Sequence, residues 1–242
     1  APEELAGVPK NFIDGLKKDA DGKYIVDTKE PSYVVVMQNA TSADTRSKML
    51  LAYNNRAGDA NSKLLQQAVD LRRQIAKIAG FATWADYRVQ MNMAKDGKTV
   101  LDFLNNLKGK LASKNKSDFD QLLAFKKETD PSATEVKAWD IQYLLTQFKK
   151  KNFNLDQEKI REYFPSAVVM KGLFEVYSQM LGVNYVEVPN AGVWNPDVKL
   201  YEIRDKKDNA LIGYFFADFI PRKGKYGHAA AFPLISGRLI NG

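Results

Sequence analysis

Between Asn61 and Gly80 the apolar residues Leu64, Leu65, Ala68, Leu71, Ile75, Ile78 and Ala79 recur at three- and four-residue spacing, which predicts a long helix. Gly80 fits the left-handed position just past its end. The same punctuation recurs through the first two-thirds of the chain. Pro9 opens a short helix through Leu16 that stops before Gly22, and Tyr24-Ile25-Val26 reads as extended. Pro31 restarts a helical pattern, and Ser42 caps a segment running to about Arg56, before Gly58. Thr83 with Asp86 resembles a capping box opening a helix through about Met93.

A longer helix is expected from Thr99, with Val100, Leu101, Leu104, Leu107 and Leu111 on one face and Phe119, Leu122, Leu123 and Phe125 resuming it. Asp130-Pro131 breaks the chain. Another helix is expected from about Glu135 to Lys150, carrying Trp139, Tyr143, Leu144 and Phe148. Asp156 caps a short helix ended by Pro165, and Ala167 to Leu181 forms one more, closed by Gly182. Core packing between helices is the simplest role for these apolar stripes.

After Gly182 the texture changes. Tyr185-Val186-Glu187-Val188 alternates as a strand does, and Leu200–Arg204 with Ala210–Phe216 flank a polar turn and read as a hairpin. Ala229 to Ile235 is expected to add a further strand. The fold class is therefore mainly α, a multi-helix array over 1–182 followed by a small antiparallel β-sheet over 183–242. Both regions are taken as parts of a larger fold.

The residue inventory excludes several chemistries. With no cysteine there are no disulfides, thiol nucleophiles or thiolate metal sites. The single histidine, His228, cannot supply the His-rich ligand set of a catalytic zinc, and no Asp-x-Asp loop suggests an all-carboxylate site. H-E-x-x-H, G-x-S-x-G and the G-x-x-x-x-G-K-[ST] phosphate loop are all missing. The longest apolar runs, such as Val34-Val35-Val36-Met37, fall far short of the roughly 18 residues of a membrane span. A soluble protein, cytoplasmic or periplasmic, is expected. The net charge of +7, from 36 Lys+Arg against 29 Asp+Glu, is spread in both signs along helix faces. Lys149-Lys150-Lys151 is the one tight run, and it sits where a helix ends, complementing the helix dipole. Specific nucleic-acid binding is not expected.

Several signatures appear in a fixed order. Trp139-Asp140 is followed by Tyr143, then Leu155-Asp156-Gln157-Glu158 and Arg161-Glu162-Tyr163-Phe164-Pro165. Val193-Trp194-Asn195-Pro196-Asp197-Val198 and Tyr201-Glu202-Ile203 come next. The last begins at Asp218-Phe219-Ile220-Pro221-Arg222-Lys223-Gly224-Lys225 and continues through Tyr226-Gly227-His228-Ala229-Ala230. Together with Glu4-Leu5-Ala6-Gly7-Val8-Pro9 at the start, this order resembles the thimet oligopeptidase and neurolysin family of zinc metallopeptidases. Asn195 stands where the family often has His, and Ala217 where Leu commonly precedes the Asp.

The resemblance implies a peptidase of short unstructured peptides, in which zinc activates a water and a glutamate acts as general base. It also implies that helices precede Ala1 and that the H-E-x-x-H helix follows Gly242. No family metal ligand or catalytic Glu maps onto these positions, so this chain alone is expected to bind no zinc and to be inactive. The remainder of the peptidase and short peptides are the expected partners. The rival reading is a non-catalytic homologue acting as a peptide-binding or interaction module.

Gly227, His228, Ala229 and Ala230 are the expected substrate-binding residues. A strand beginning there would border the cleft, where an extended peptide pairs through its backbone and small residues allow close approach. His228 reads otherwise as a positioned polar residue at a loop-to-strand transition. Arg222 and Lys225 either hold a peptide carboxylate or pair with Asp218, and pairing is the simpler reading. Trp194, Tyr163 and Phe164 are expected to anchor the core, and Arg161-Glu162 to form a surface charge pair.

Overall fold

The computed structural model describes residues 1–226 and 229–237, which fall into two compact units, 1–151 and 152–242. In the first unit a 3₁₀ turn (Pro2–Leu5) leads into α1 (Lys10–Asp14) and a two-residue ladder of β1 (Lys17–Lys18) with β2 (Tyr24–Ile25). Next come α2 (Glu30–Asn39), α3 (Ala43–Asn54), α4 (Gly58–Ile78), α5 (Trp84–Val89), α6 (Gly97–Lys127) and α7 (Ile141–Phe153).

The caps explain most boundaries. Ser42 Oγ accepts from the Thr45 amide, Thr83 Oγ1 from the Asp86 amide, and Asp96 Oδ1 from the Thr99 amide. Gly80 lies in the left-handed region past α4. The expected two-part helix from Thr99 is a single α6 that starts at Gly97, because Asp96 rather than Thr99 occupies the capping position. The helix expected from Glu135 begins only at Ile141. Before it, Asp140 Oδ2 accepts from the Lys137 amide at 3.2 Å, a side-chain bond that holds the backbone in a turn.

The core of this unit gathers Leu5, Val8, Tyr33, Val36, Met37, Ala40 and Met49, with Trp139 packed against it. The apolar run of α2 is buried here, and fully burying a side chain such as Met37 is worth about 1.5–3 kcal/mol. Gly7 fixes the entry of the chain. Its φ is +86°, and a Cβ there would collide with the Asn39 carbonyl oxygen and lie 2.8 Å from Thr41 Cγ2. This closeness lets the Thr41 amide donate to the Ala6 carbonyl at 2.9 Å. The Glu4–Pro9 signature is thus a backbone clamp on the α2–α3 connection.

The second unit holds α8 (Gln157–Arg161), α9 (Ser166–Leu181) and an antiparallel sheet of order β3-β4-β5, with β3 Val183–Glu187, β4 Lys199–Asp205 and β5 Leu211–Ala217. Asp156 caps α8 and Gly182, at φ +68°, closes α9. Glu187 opposes Tyr201 and Tyr201 opposes Phe215, with a register shift at Ile203/Arg204. Phe174 of α9 meets this face, stacked on Tyr185 with ring centroids 4.5 Å apart, 4.7 Å from Tyr201 and edge-on to Phe215. The hairpin turns through Asn209, whose φ of +60° suits asparagine. The change of texture at Gly182 is therefore a step from helix to sheet inside one compact unit.

Two expectations fail here. Ala229 to Ile235 form no strand, since apolar alternation without a backbone partner makes no ladder and Pro233 lacks the amide to donate. Phe232, Leu234 and Ile235 are exposed. Nor do the stripes on α4, α6 and α9 become a helix–helix core. Leu64, Leu65, Leu71, Ile75 and Ile78 of α4, Leu101, Leu104, Leu107 and Leu111 of α6, and Val168, Val176, Met180 and Leu181 of α9 are exposed. The exposed surface totals 18429 Å², whereas two separate compact bodies sharing the chain's 27.3 kDa would present about 13,000 Å². Burial along α6 is concentrated near its C-terminal end, where Leu122 is buried and Phe125 meets Phe148 of α7 edge-on.

Candidate functional site

The last signature places its charged residues around one carboxylate, just past β5. Asp218 Oδ1 accepts from Arg222 Nη1 at 2.6 Å and lies 3.0 Å from Lys225 Nζ. Its Oδ2 accepts from Arg222 Nη2 at 2.7 Å and from Trp194 Nε1 at 3.1 Å. An ionised carboxylate offers about four lone-pair positions, and these four contacts fill them. The paired Arg222 guanidinium, with Lys225 and Trp194, holds the Asp218 carboxyl well below the usual carboxylate range, against the opposing effect of desolvation. So Asp218 stays ionised and engaged, which suits an anchor and leaves no lone pair for general-base work.

Lys225 is committed as fully. Its ammonium donates to the Asp218 carbonyl at 2.6 Å and the Ile220 carbonyl at 3.0 Å while facing Asp218 Oδ1. Of the two readings for Arg222 and Lys225, pairing with Asp218 is the one formed. Gly224, at φ +79°, lets the turn close with the Lys225 amide donating to the Arg222 carbonyl.

Gly227 and His228 lie outside the described residues. Ala229 and Ala230 are described, exposed and in no regular element. Trp194 was expected in the core, yet it is half-exposed; its ring leans on Phe216 at 5.1 Å between centroids, and its nitrogen reaches Asp218. This bond spans 24 residues of sequence, and the only sign of it beforehand was that both residues sit inside ordered signatures. Tyr163 and Phe164 are also exposed, 82% and 64%, so they anchor no core in this chain. Arg161 pairs with Glu158, three residues back on the α8 face, rather than with its neighbour Glu162.

A second polar cluster accounts for the Trp139-Asp140…Tyr143 signature. Arg46 Nη2 donates to Asp140 Oδ1 at 2.7 Å, Lys126 Nζ to Oδ2 at 2.7 Å, and both Arg46 and Asp140 are buried. Arg46 also donates to the carbonyls of Ala40, Thr41 and Trp139, and its guanidinium lies over the Tyr143 ring. Burial by itself would raise the Asp140 pKa. The bonds from Lys126, Arg46 and the Lys137 amide outweigh it and leave the pKa lowered. This is a fully satisfied internal ion network tying α3, α6 and the start of α7 together.

Among the described residues, no three His, Cys, Asp or Glu side chains come together as metal ligands. No described helix is long and apolar enough to cross a membrane. Much of the basic excess is locally paired along α6, as in Lys98–Asp102 and Lys116–Asp120.

A helical array, a small antiparallel sheet and a braced turn leading into a Gly-His-Ala-Ala segment define a class of peptidases. The chain belongs to peptidase family M3, whose family model matches residues 36–241. It is 34% identical to saccharolysin of Saccharomyces cerevisiae, over 99% of this chain and 36% of that protein. It is 31% identical to a thimet-like oligopeptidase of Dictyostelium discoideum, over 97% of this chain and 37% of that protein. With oligopeptidase A of Escherichia coli the identity is 32%, over 93% of this chain and 35% of that protein. The chain thus spans little more than a third of the length of these relatives.

Proposed function

We propose that this chain is a segment of a zinc-dependent oligopeptidase that hydrolyses short peptides, with the metal site supplied by sequence outside these residues. The observation that carries the reading is the family M3 match over residues 36–241. The donor set in this chain does not fit a zinc ion, because no suitable group of ligands meets among the described residues. No chemical step is therefore assigned to these side chains. When bound elsewhere in the protein, the metal would supply an activated water.

What this chain contributes is framework and peptide contact. Residues Gly227, His228, Ala229 and Ala230 follow the braced Asp218–Lys225 turn, and small residues there admit an extended peptide close to the backbone. The rest of the peptidase covers the apolar faces of α4, α6 and α9, since monomeric proteins rarely leave contiguous apolar patches beyond a few hundred Å² open.

The test is hydrolysis of a quenched short peptide by the full-length protein, with and without a metal chelator. Turnover that the chelator abolishes and added zinc restores supports the reading. Peptide binding without any turnover would move the assignment to a non-catalytic homologue.

A further inference from the structure

We propose that Asp218 is a positioning residue for peptide binding, an anchor that fixes the path of the backbone into residues 227–230. This rests on the oligopeptidase reading above and gives that reading a mechanical part. Three separate pieces of chain converge on the one carboxylate: Trp194 from the β3–β4 connection, Arg222 from the middle of the turn, and Lys225 at its end. The carboxylate itself is attached directly after Ala217, the buried last residue of β5. The turn is thus tied to the sheet at one end and closed on itself by the lysine ammonium at the other.

Tyr226 is the single residue between Lys225 and Gly227. Error in the turn therefore passes to the peptide-contacting segment with almost no slack to absorb it. The bonds are charge-assisted and one pair is bidentate, which adds directional rigidity to strength. A saturated carboxylate with no free lone pair has no capacity for substrate, so its effect must act through where it places its neighbours.

The position of Trp194 supports the same role. Its half-exposed ring contributes little to a core, yet leans on Phe216 and aims its nitrogen at Asp218. A merely adhesive tryptophan has no need of that bond.

The experiment uses the full-length protein and two variants, Asp218→Asn and Trp194→Phe, with a quenched short peptide as substrate. Steady-state kinetics and hydrogen exchange across residues 219–230 are measured together. Asp218→Asn is expected to raise KM on the order of tenfold with kcat within about twofold, the pattern of lost uniform binding. Exchange across 219–230 should quicken while the rest of the protein keeps its protection. Trp194→Phe retains the ring contact, loses one donor and should fall between wild type and Asp218→Asn. It also carries the test if Asp218→Asn does not fold.

A fall in kcat with KM unchanged would overturn the proposal, because it places Asp218 in the chemistry. Faster exchange with unaltered kinetics would overturn it too, because the segment would then not hold peptide. If the wild-type protein cleaves no peptide, the oligopeptidase reading fails. The exchange data still decide whether Asp218 fixes the turn.

Discussion

Arg46 and Asp140, 94 residues apart in sequence, meet as a buried ion pair with Nη2 and Oδ1 2.7 Å apart. Arg46 lies on α3 and Asp140 at the threshold of α7, and Lys126 of α6 closes the group from the other side of the carboxylate. Three helices that share few apolar contacts are thereby registered by charge. A buried carboxylate left without partners is costly, so the network behaves as a unit.

Removing one member should therefore be severe. Arg46→Ala is expected to destabilise the protein by about 3–5 kcal/mol, since it strands a buried carboxylate. Replacing the pair with apolar residues of similar volume, Arg46→Met with Asp140→Leu, should cost less than the single change. Denaturant midpoints of the three variants and wild type give the comparison; a single variant within about 0.5 kcal/mol of wild type would show the pair to be idle.

The same network sets a pH dependence. Because the folded Asp140 pKa is lowered, the unfolded state takes up its proton first as pH falls. The stability it contributes is complete above the unfolded value of about 3.9 and is lost as pH drops through the folded pKa. Denaturant midpoints measured between about pH 6 and pH 2 should fall more steeply for wild type than for Asp140→Asn, which has no such proton to bind. Parallel curves would remove Asp140 from the acid response.

Two glycines should respond oppositely to alanine. At Gly7 the backbone is left-handed and a Cβ meets the Asn39 carbonyl, so Gly7→Ala should destabilise by more than about 1 kcal/mol. Gly109 lies inside α6 with open space where a Cβ would go, so Gly109→Ala should stabilise by about 0.5–1 kcal/mol. Thermal or denaturant unfolding distinguishes the signs, and a stabilising Gly7→Ala would contradict the clamp at the α2–α3 connection.

The basic balance should produce only weak, salt-sensitive association with nucleic acid, with Kd on the order of 10⁻⁴–10⁻⁶ M near physiological salt. Titration of a labelled duplex at two salt concentrations checks it. Tight binding that persists at the higher salt and discriminates sequence would show the lysines of α6 to be a reading surface.

Local chemistry made much of the fold legible. Ser42, Thr83, Asp156, Gly80 and Gly182 all act where their side chains or conformational freedom act in any protein, within a few residues of themselves. The Asp205–Asn209 hairpin was readable for the same reason. What was not readable depends on partners far away in sequence. Asp140 holds the backbone in a turn because Arg46 and Lys126 fix its carboxylate, and no spacing within 135–150 reveals that. Trp194 is an aromatic whose partner is a carboxylate 24 residues on, so composition alone sends it to the core. Ala229–Ile235 alternates as a strand does, yet pairing is a property of two segments and the described residues offer it none. In the candidate site the pairing of Arg222 and Lys225 with Asp218 was readable from proximity, whereas the saturation of that carboxylate was not.

The central claim is that this chain supplies framework and peptide contact while the chemistry resides elsewhere in the protein. The most direct measurement compares the isolated chain with the full-length protein, each given a quenched short peptide and zinc, with and without chelator. The expected result is chelator-sensitive turnover by the full-length protein and none by the chain. Chelator-sensitive turnover at an enzyme-like rate by the chain alone would contradict the account.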